Sequence, residues 1–272
     1  MDDLVGRLGT IALIGGGTMG EAIVSRMVNG ALFDPESIIV AEPNEHRRVQ
    51  LNETYGVSCV ASGVEIDKPD TVILAIKPQV FRTVCESLAA STTFTPMRVI
   101  SIAAGVTTPT IRAFFPNAAV IRVMPNTPLT VGAGMSAVST AEGTAHSEGE
   151  LVRDLFSLMG EAVLINEAQL NAVTALSGSG PAYFALFVEA LASAGLEAGL
   201  PPEVATQLAR QTLVGTARYL DLTGIAPTEL REAVTSPHGT TAAALDDFAS
   251  HDFNDIVRSA FNAALRRAEE LA

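Results

Sequence analysis

The chain is predicted to fold as an α/β domain on a parallel, doubly wound sheet over roughly residues 1–165, followed by an all-helical domain over roughly 166–272. Three observations predict this. Short, continuous β-rich apolar runs alternate with amphipathic stretches through the first half, as strands buried on both faces require. A glycine-rich turn joins the first run to the first helix. The β signal stops near Ala168, and alanine- and leucine-rich segments then repeat at helical spacing. A length of 272 residues accommodates two domains, and a 48% hydrophobic content is enough for packed interiors.

Taken in order, the strand runs are "TIALI", "SIIVAE", "DTVILAIKP", "RVISIAAG", "AVIRVMPN" and "GMSAVST", with a last run, "EAVLINE", after a helix near 147–159. The helical half contains "PAYFALFVEALASAGLEAGL" and "PEVATQLARQTLVGTARYLDLTG", each with glycine stop signals. A break at "TSPHG", 235–239, ends a further helix, and "DFNDIVRSAFNAALRRAEELA" closes the chain. Only 5% of residues are aromatic and none is Trp, whereas Ala, Val, Leu and Gly abound, which suits close helix packing.

Composition excludes several classes. A net charge of -13 offers no basic field for a phosphate backbone, so no nucleic-acid partner is expected. Cys59 and Cys85 match no metal or redox spacing, and no metal site is expected. "MDDLVGRLGTIALIGGG" reads as neither a signal peptide nor a membrane span, so a cytoplasmic protein without a membrane partner is expected.

The first turn, "IGGGTMGEAI", places Gly15, Gly17 and Gly20 in the order G-x-G-x-x-G after a strand and at the opening of a helix, with Gly16, Thr18 and Met19 between them. Gly15 serves a tight turn, Gly17 a close backbone approach to a pyrophosphate, and Gly20 strand–helix contact. The helix start adds free N–H groups and a positive dipole end. This is a Rossmann-type dinucleotide-binding arrangement. Glu42, at the end of the second strand, favours NAD by accepting from an adenosine ribose and repelling a 2'-phosphate. Arg47 and Arg48 follow closely and could pair with such a phosphate, so NADH and NADPH both stay open.

Three turns lie beyond the carboxyl ends of later strands, where such sheets bind ligands. "AIKPQ" supplies Ala75, Lys77 and Pro78; "SIAAGVT" supplies Ala104 and Gly105; "RVMPNTP" supplies Asn126, Thr127 and Pro128. Asn126 and Thr127 offer amide and hydroxyl groups where a nicotinamide should lie. Familiar acid–base sets are missing. The two lysines, Lys68 and Lys77, both fall in the first domain, and none of Tyr55, Tyr183 and Tyr219 has a lysine four residues on. Ser179 lacks the glycines of a nucleophile elbow. Of His46, His146, His238 and His251, only His238 falls in a suspicious loop. A redox substrate needing little acid–base help fits best. A protonated imine already carries the charge that draws in a hydride, and its reduction can run on orientation and electrostatics.

"AVTALSGSGPAYFALFVEALASAGLEAGLP" together with "LREAVTSPHGTTAAAL" strongly resembles pyrroline-5-carboxylate reductases, and the likeness runs from the Gly15 turn through "AIKP", "AAG" and "MPNTP" to the helical half. The resemblance implies NAD(P)H-dependent reduction of 1-pyrroline-5-carboxylate to L-proline, the last step of proline synthesis. It implies a helical dimerisation domain that interlocks with a partner chain, giving a homodimer that often builds larger rings. It also implies that Ser177, Gly178, Ser179, Gly180 and Pro181 line the substrate site with Gly239, Thr240 and Thr241. Thr241 is then the candidate catalytic residue, and Lys77, Pro78, Asn126, Thr127 and Pro128 match the nicotinamide side. Physically, "SGSGP" is expected to end one helix and begin the next, with Pro181 at a first helical position leaving amides free for a carboxylate. "SPHGTT" repeats that arrangement. His238 departs from the glycine usual in the family and puts a titratable ring beside the loop. Reduction of another cyclic imine or a small keto acid, and a non-catalytic dinucleotide sensor, are the alternatives.

Overall fold

The computed structural model describes residues 2–30 and 33–271. Residues up to Ser179, joined by those from Ala264 onward, form one compact unit, and Gly180–Ala263 form a second.

The first unit begins with α1 (Asp2–Leu8), β1 (Ile11–Ile14), α2 (Thr18–Asn29), β2 (Ile38–Ala41), α3 (Glu45–Tyr55) and β3 (Ser58–Val60). It continues through β4 (Thr71–Leu74), α4 (Pro78–Ala90), β5 (Arg98–Ser101), α5 (Thr108–Phe114) and β6 (Ala119–Met124). β7 (Gly134–Thr140), α6 (His146–Ser157), β8 (Gly160–Leu164) and α7 (Leu170–Val173) complete it before the second unit begins. The eight strands form one sheet in the order β3-β2-β1-β4-β5-β6-β7-β8. The first six are parallel, in the order of dinucleotide-binding sheets, so the chain reverses its winding between β1 and β4. β7 runs antiparallel to β6, and β8 runs parallel to β7.

Strand alternation explains the two layers. In β1, Ile11 and Leu13 face a core containing Ile23 and Met27 of α2, Leu51 of α3 and Leu155 and Phe156 of α6. Ala12 and Ile14 face the opposite core, with Phe81, Cys85 and Leu88 of α4 and Ile111 of α5. Each such buried Leu, Ile, Met or Phe side chain contributes about 1.5–3 kcal/mol, and burial on both faces is why these strands read as continuous apolar runs rather than as alternating ones. The α/β class and the helical second half expected from the sequence are both present. The edge strand β3 and the short α1 are additions. β3 is a three-residue "SCV" whose first residue is exposed, so it carries no apolar run.

The second unit holds α8 (Gly180–Glu197), α9 (Pro202–Thr223), α10 (Pro227–Ala233), α11 (Thr240–Ser250) and the first part of α12 (Phe253–Leu271). Phe184, Leu186, Leu208 and Leu222 stand 53–72% exposed on α8 and α9. A helix apolar on so much of its circumference needs a further surface to bury it.

Candidate active site

The turn between β1 and α2 is set by what its glycines leave out. Gly15 has φ +107, and a Cβ there would lie 2.6 Å from the Ala75 carbonyl oxygen. A Cβ at Gly16 would lie 2.7 Å from Leu51 Cδ1, and one at Gly20 would overlap the Gly15 carbonyl. Gly17 differs: nothing lies within 4 Å of the place its Cβ would take. Gly17 is also the N-cap of α2 and provides no side-chain cap, so the amides of Thr18 and Met19 start the helix without one. Three glycines thus serve packing, and the fourth leaves an open approach to a positive helix end. That cradle fits a dinucleotide pyrophosphate.

The end of β2 is tightly organised. Glu42 accepts from the Gly16 N–H at 2.9 Å and the Asn44 N–H at 3.0 Å. Arg47 donates from Nε to the Gly16 carbonyl at 2.7 Å, from Nη1 to Gln50 at 2.8 Å and from Nη2 to Glu21 at 2.5 Å. Tyr55 supports Glu21 with a 3.2 Å hydroxyl bond. Arg48 donates to the carbonyls of Glu42 and Pro43.

Of the turns at the carboxyl edge, Ala75 is half-buried, while Lys77 and Pro78 are exposed at the start of α4. Gly105 has φ +75, and Ala104 beside it is half-buried. A cavity of about 210 Å³ is lined by Met19, Ile102, Met124, Pro125, Asn126, Thr127 and Gly178. Its size and largely apolar wall suit one flat ring. Pro128 lies in the 3-10 turn Thr127–Val131 that follows. Asn126 works as a strut: its Oδ1 accepts from the Met135 N–H at 2.8 Å, and its Nδ2 donates to the Ser177 carbonyl at 3.1 Å.

The Ser-Gly-Ser-Gly-Pro segment does not break the helix as its composition predicts. Thr174–Gly178 form a π turn, Ser179 keeps right-handed helical angles, and α8 follows at once. Pro181 has no N–H for the Ser177 carbonyl four residues back, and Asn126 supplies the missing donor. The Ser179 N–H reaches back five residues to Thr174 at 2.9 Å. A Cβ on Gly178 would lie 2.7 Å from Met124 Cε, so glycine there lets the helix close on the cavity. The expected helix start at Gly180 is therefore a continuation through a π turn.

Pro181, Gly239, Thr240 and Thr241 belong to the second unit, and Ser177, Gly178 and Ser179 to the first. Gly239 is the N-cap of α11 without a side-chain cap, and a Cβ there would overlap Ser236 Oγ. His238 holds φ +59, the left-handed region that favours glycine. Thr240 is exposed and Thr241 half-buried on the first turn of α11.

One cluster escaped the sequence reading. Glu167 accepts from the Thr108 N–H at 2.7 Å, from Thr108 Oγ1, and from Arg122 Nη1 at 2.7 Å. Burial alone would raise its pKa, but the Thr108 and Arg122 hydrogen bonds and the Arg122 charge outweigh it and hold the carboxyl below its usual range. The cluster ties the segment leading to α7 onto α5, just after the Gly105 turn. Only the lone acid in "INEAQ" hinted at it. Among the described residues, no group of three or more His, Cys, Asp or Glu is placed to hold a metal ion, and no helix is long and apolar enough to cross a membrane.

Comparison with known proteins gives this geometry a family. Residues 167–271 match the family model described as pyrroline-5-carboxylate reductase dimerisation, and residues 10–105 match that described as NADP oxidoreductase coenzyme F420-dependent. The pyrroline-5-carboxylate reductase of Synechocystis sp. is 42% identical over 262 residues, covering 96% of this chain and 97% of that one. That of Haemophilus influenzae is 39% identical over 267 residues, covering 96% and 97%. Among solved structures, a pyrroline-5-carboxylate reductase from Coxiella burnetii superposes with a TM-score of 0.91 at 35% identity, covering 97% of this chain and 99% of that one. A Plasmodium falciparum pyrroline carboxylate reductase with NADP bound gives 0.83 at 25% identity, covering 97% and 98%. With identity at this level running almost end to end, the chain belongs to the pyrroline-5-carboxylate reductase family.

Proposed function

We propose that this chain reduces 1-pyrroline-5-carboxylate to L-proline with NADPH or NADH, the final step of proline biosynthesis. The observation that carries the reading is the ring-sized cavity at Met19, Met124 and Gly178, next to an uncapped helix start whose Gly17 side is open, in a chain of this family. Bound at this site, a reduced nicotinamide would supply the hydride that a protonated imine takes up at carbon as the C=N electron pair goes to nitrogen, giving a secondary amine.

The protein's share is positioning. Gly15–Gly20 and the start of α2 hold the pyrophosphate, Glu42 meets the adenosine ribose, and Ala75, Lys77, Pro78, Ala104, Gly105, Asn126, Thr127 and Pro128 frame the nicotinamide side. Asn126 acts there as the brace of the Ser177 carbonyl. Ser177–Pro181 and Gly239–Thr241 bind the substrate. The amides at the start of α11 hold its carboxylate, and Thr241 orients the ring nitrogen without having to give up its own proton. The exposed apolar faces of α8 and α9 are covered by a second copy of the chain, and the homodimers build a larger ring. The enzyme works in the cytoplasm.

A substrate panel tests the reading. Turnover of 1-pyrroline-5-carboxylate far above that of 1-pyrroline, which lacks the carboxylate, and above that of small keto acids is expected. Comparable turnover of 1-pyrroline would remove the carboxylate-binding role of the α11 start. Preference for a keto acid would overturn the reaction.

A further inference from the structure

We propose that Glu42 makes this chain select NADH over NADPH, and that Glu21 locks the choice by holding Arg47. The inference deepens the reading above and rests on its dinucleotide site. A carboxylate at the end of β2 faces the adenosine ribose, where it accepts from the 2'-hydroxyl of NADH and repels the doubly charged 2'-phosphate of NADPH. Glu42 cannot swing aside cheaply. Its two oxygens accept the Gly16 and Asn44 N–H groups at 2.9 and 3.0 Å, and leaving would strand both donors. Each oxygen keeps a lone pair for a ribose hydroxyl.

A nearby arginine can reverse such a choice by pairing with the phosphate, and here Arg47 is committed elsewhere. All three of its guanidinium nitrogens are engaged, and Nη2 sits 2.5 Å from Glu21 Oε2 with both side chains only about a quarter exposed: 23% and 26%. Arg48 spends Nη1 on the carbonyls of Glu42 and Pro43. A 2'-phosphate would meet the Glu42 charge and an Arg47 already paired with Glu21, with Arg48 Nη1 held by two backbone carbonyls.

Isothermal titration of the full-length protein with NAD+ and with NADP+ reads the preference without turnover, with melting curves to show that each variant is folded. Wild type is expected to bind NAD+ more than about tenfold tighter than NADP+. Glu42→Ser should narrow that ratio by about tenfold, mainly by tightening NADP+. Glu21→Gln should tighten NADP+ severalfold and leave NAD+ nearly unchanged. A wild type that binds NADP+ as tightly as NAD+, or a ratio that Glu42→Ser leaves in place, overturns the proposal while the dinucleotide site stands. Binding of neither dinucleotide overturns both.

Discussion

One methyl group added at Gly17 should weaken dinucleotide binding and spare the fold, whereas the same methyl at Gly20 should damage the fold. Gly17 sits at φ -70, ψ -172, an extended conformation open to any residue, and its missing Cβ faces empty space. Alanine at an N-cap costs about 0.5–1 kcal/mol, and the loss of unfolded-state freedom returns about 0.4–1 kcal/mol, so Gly17→Ala should melt within about 0.5 kcal/mol of wild type. The methyl then stands where the pyrophosphate must approach the α2 amides. Charge-assisted hydrogen bonds are worth about 1.5–3 kcal/mol each, and losing one or two raises Kd by roughly 10- to 1000-fold after partial relaxation. At Gly20 the new Cβ overlaps the Gly15 carbonyl and lies 3.0 Å from Leu13 Cδ2, so α2 must lift from β1. Overpacking of that kind costs about 1–3 kcal/mol, and for a chain of this size each kcal/mol lowers Tm by about 2–4 °C. Thermal melts and isothermal titration with NAD+ read both effects. Wild-type affinity in Gly17→Ala, or wild-type stability in Gly20→Ala, would refute this division of roles.

Three further outcomes are expected. The folded chain holds the Glu167 carboxyl below its usual range, so it adds stability above the unfolded value near 4.3, and that stability is lost as pH falls through the lower folded value. Glu167→Gln should therefore cost about 1–3 kcal/mol at neutral pH and lose its penalty in acid; urea titrations that give the same penalty at both pH values would contradict the cluster's role. His238→Gly, relieving φ +59, should raise stability by about 0.5 kcal/mol, and a loss above about 1 kcal/mol in melting experiments would show that the ring makes contacts which outweigh the strain. Thr241→Ala should raise KM for 1-pyrroline-5-carboxylate severalfold and lower kcat modestly; an unchanged kcat/KM would strip Thr241 of its positioning role.

The sheet was legible because its strands are buried on both faces, and Gly15 and Gly20 because the backbone forbids a Cβ there. Those requirements are local, and local pattern carries them. The π turn at Thr174–Gly178 was not legible. Gly and Pro in "SGSGP" read as breakers, but the donor that Pro181 lacks is replaced from Asn126, 51 residues before Ser177. The bracing role of Asn126 was not legible either, since the partners of both ends of its amide are fixed by β7 and the π turn rather than by "MPNTP". Glu167 was passed over for the same reason, since its partners Thr108 and Arg122 lie 59 and 45 residues away. Arg47 and Arg48 left the cofactor choice open because sequence spacing cannot show that Glu21 has already claimed one of them.

The central claim is tested most directly by mixing purified protein with 1-pyrroline-5-carboxylate and a reduced nicotinamide cofactor, then following both cofactor oxidation and proline formation. Rapid oxidation with one proline formed per cofactor consumed, faster with NADH than with NADPH, is the predicted result. Cofactor that binds but is not consumed, with no proline formed, would contradict the account.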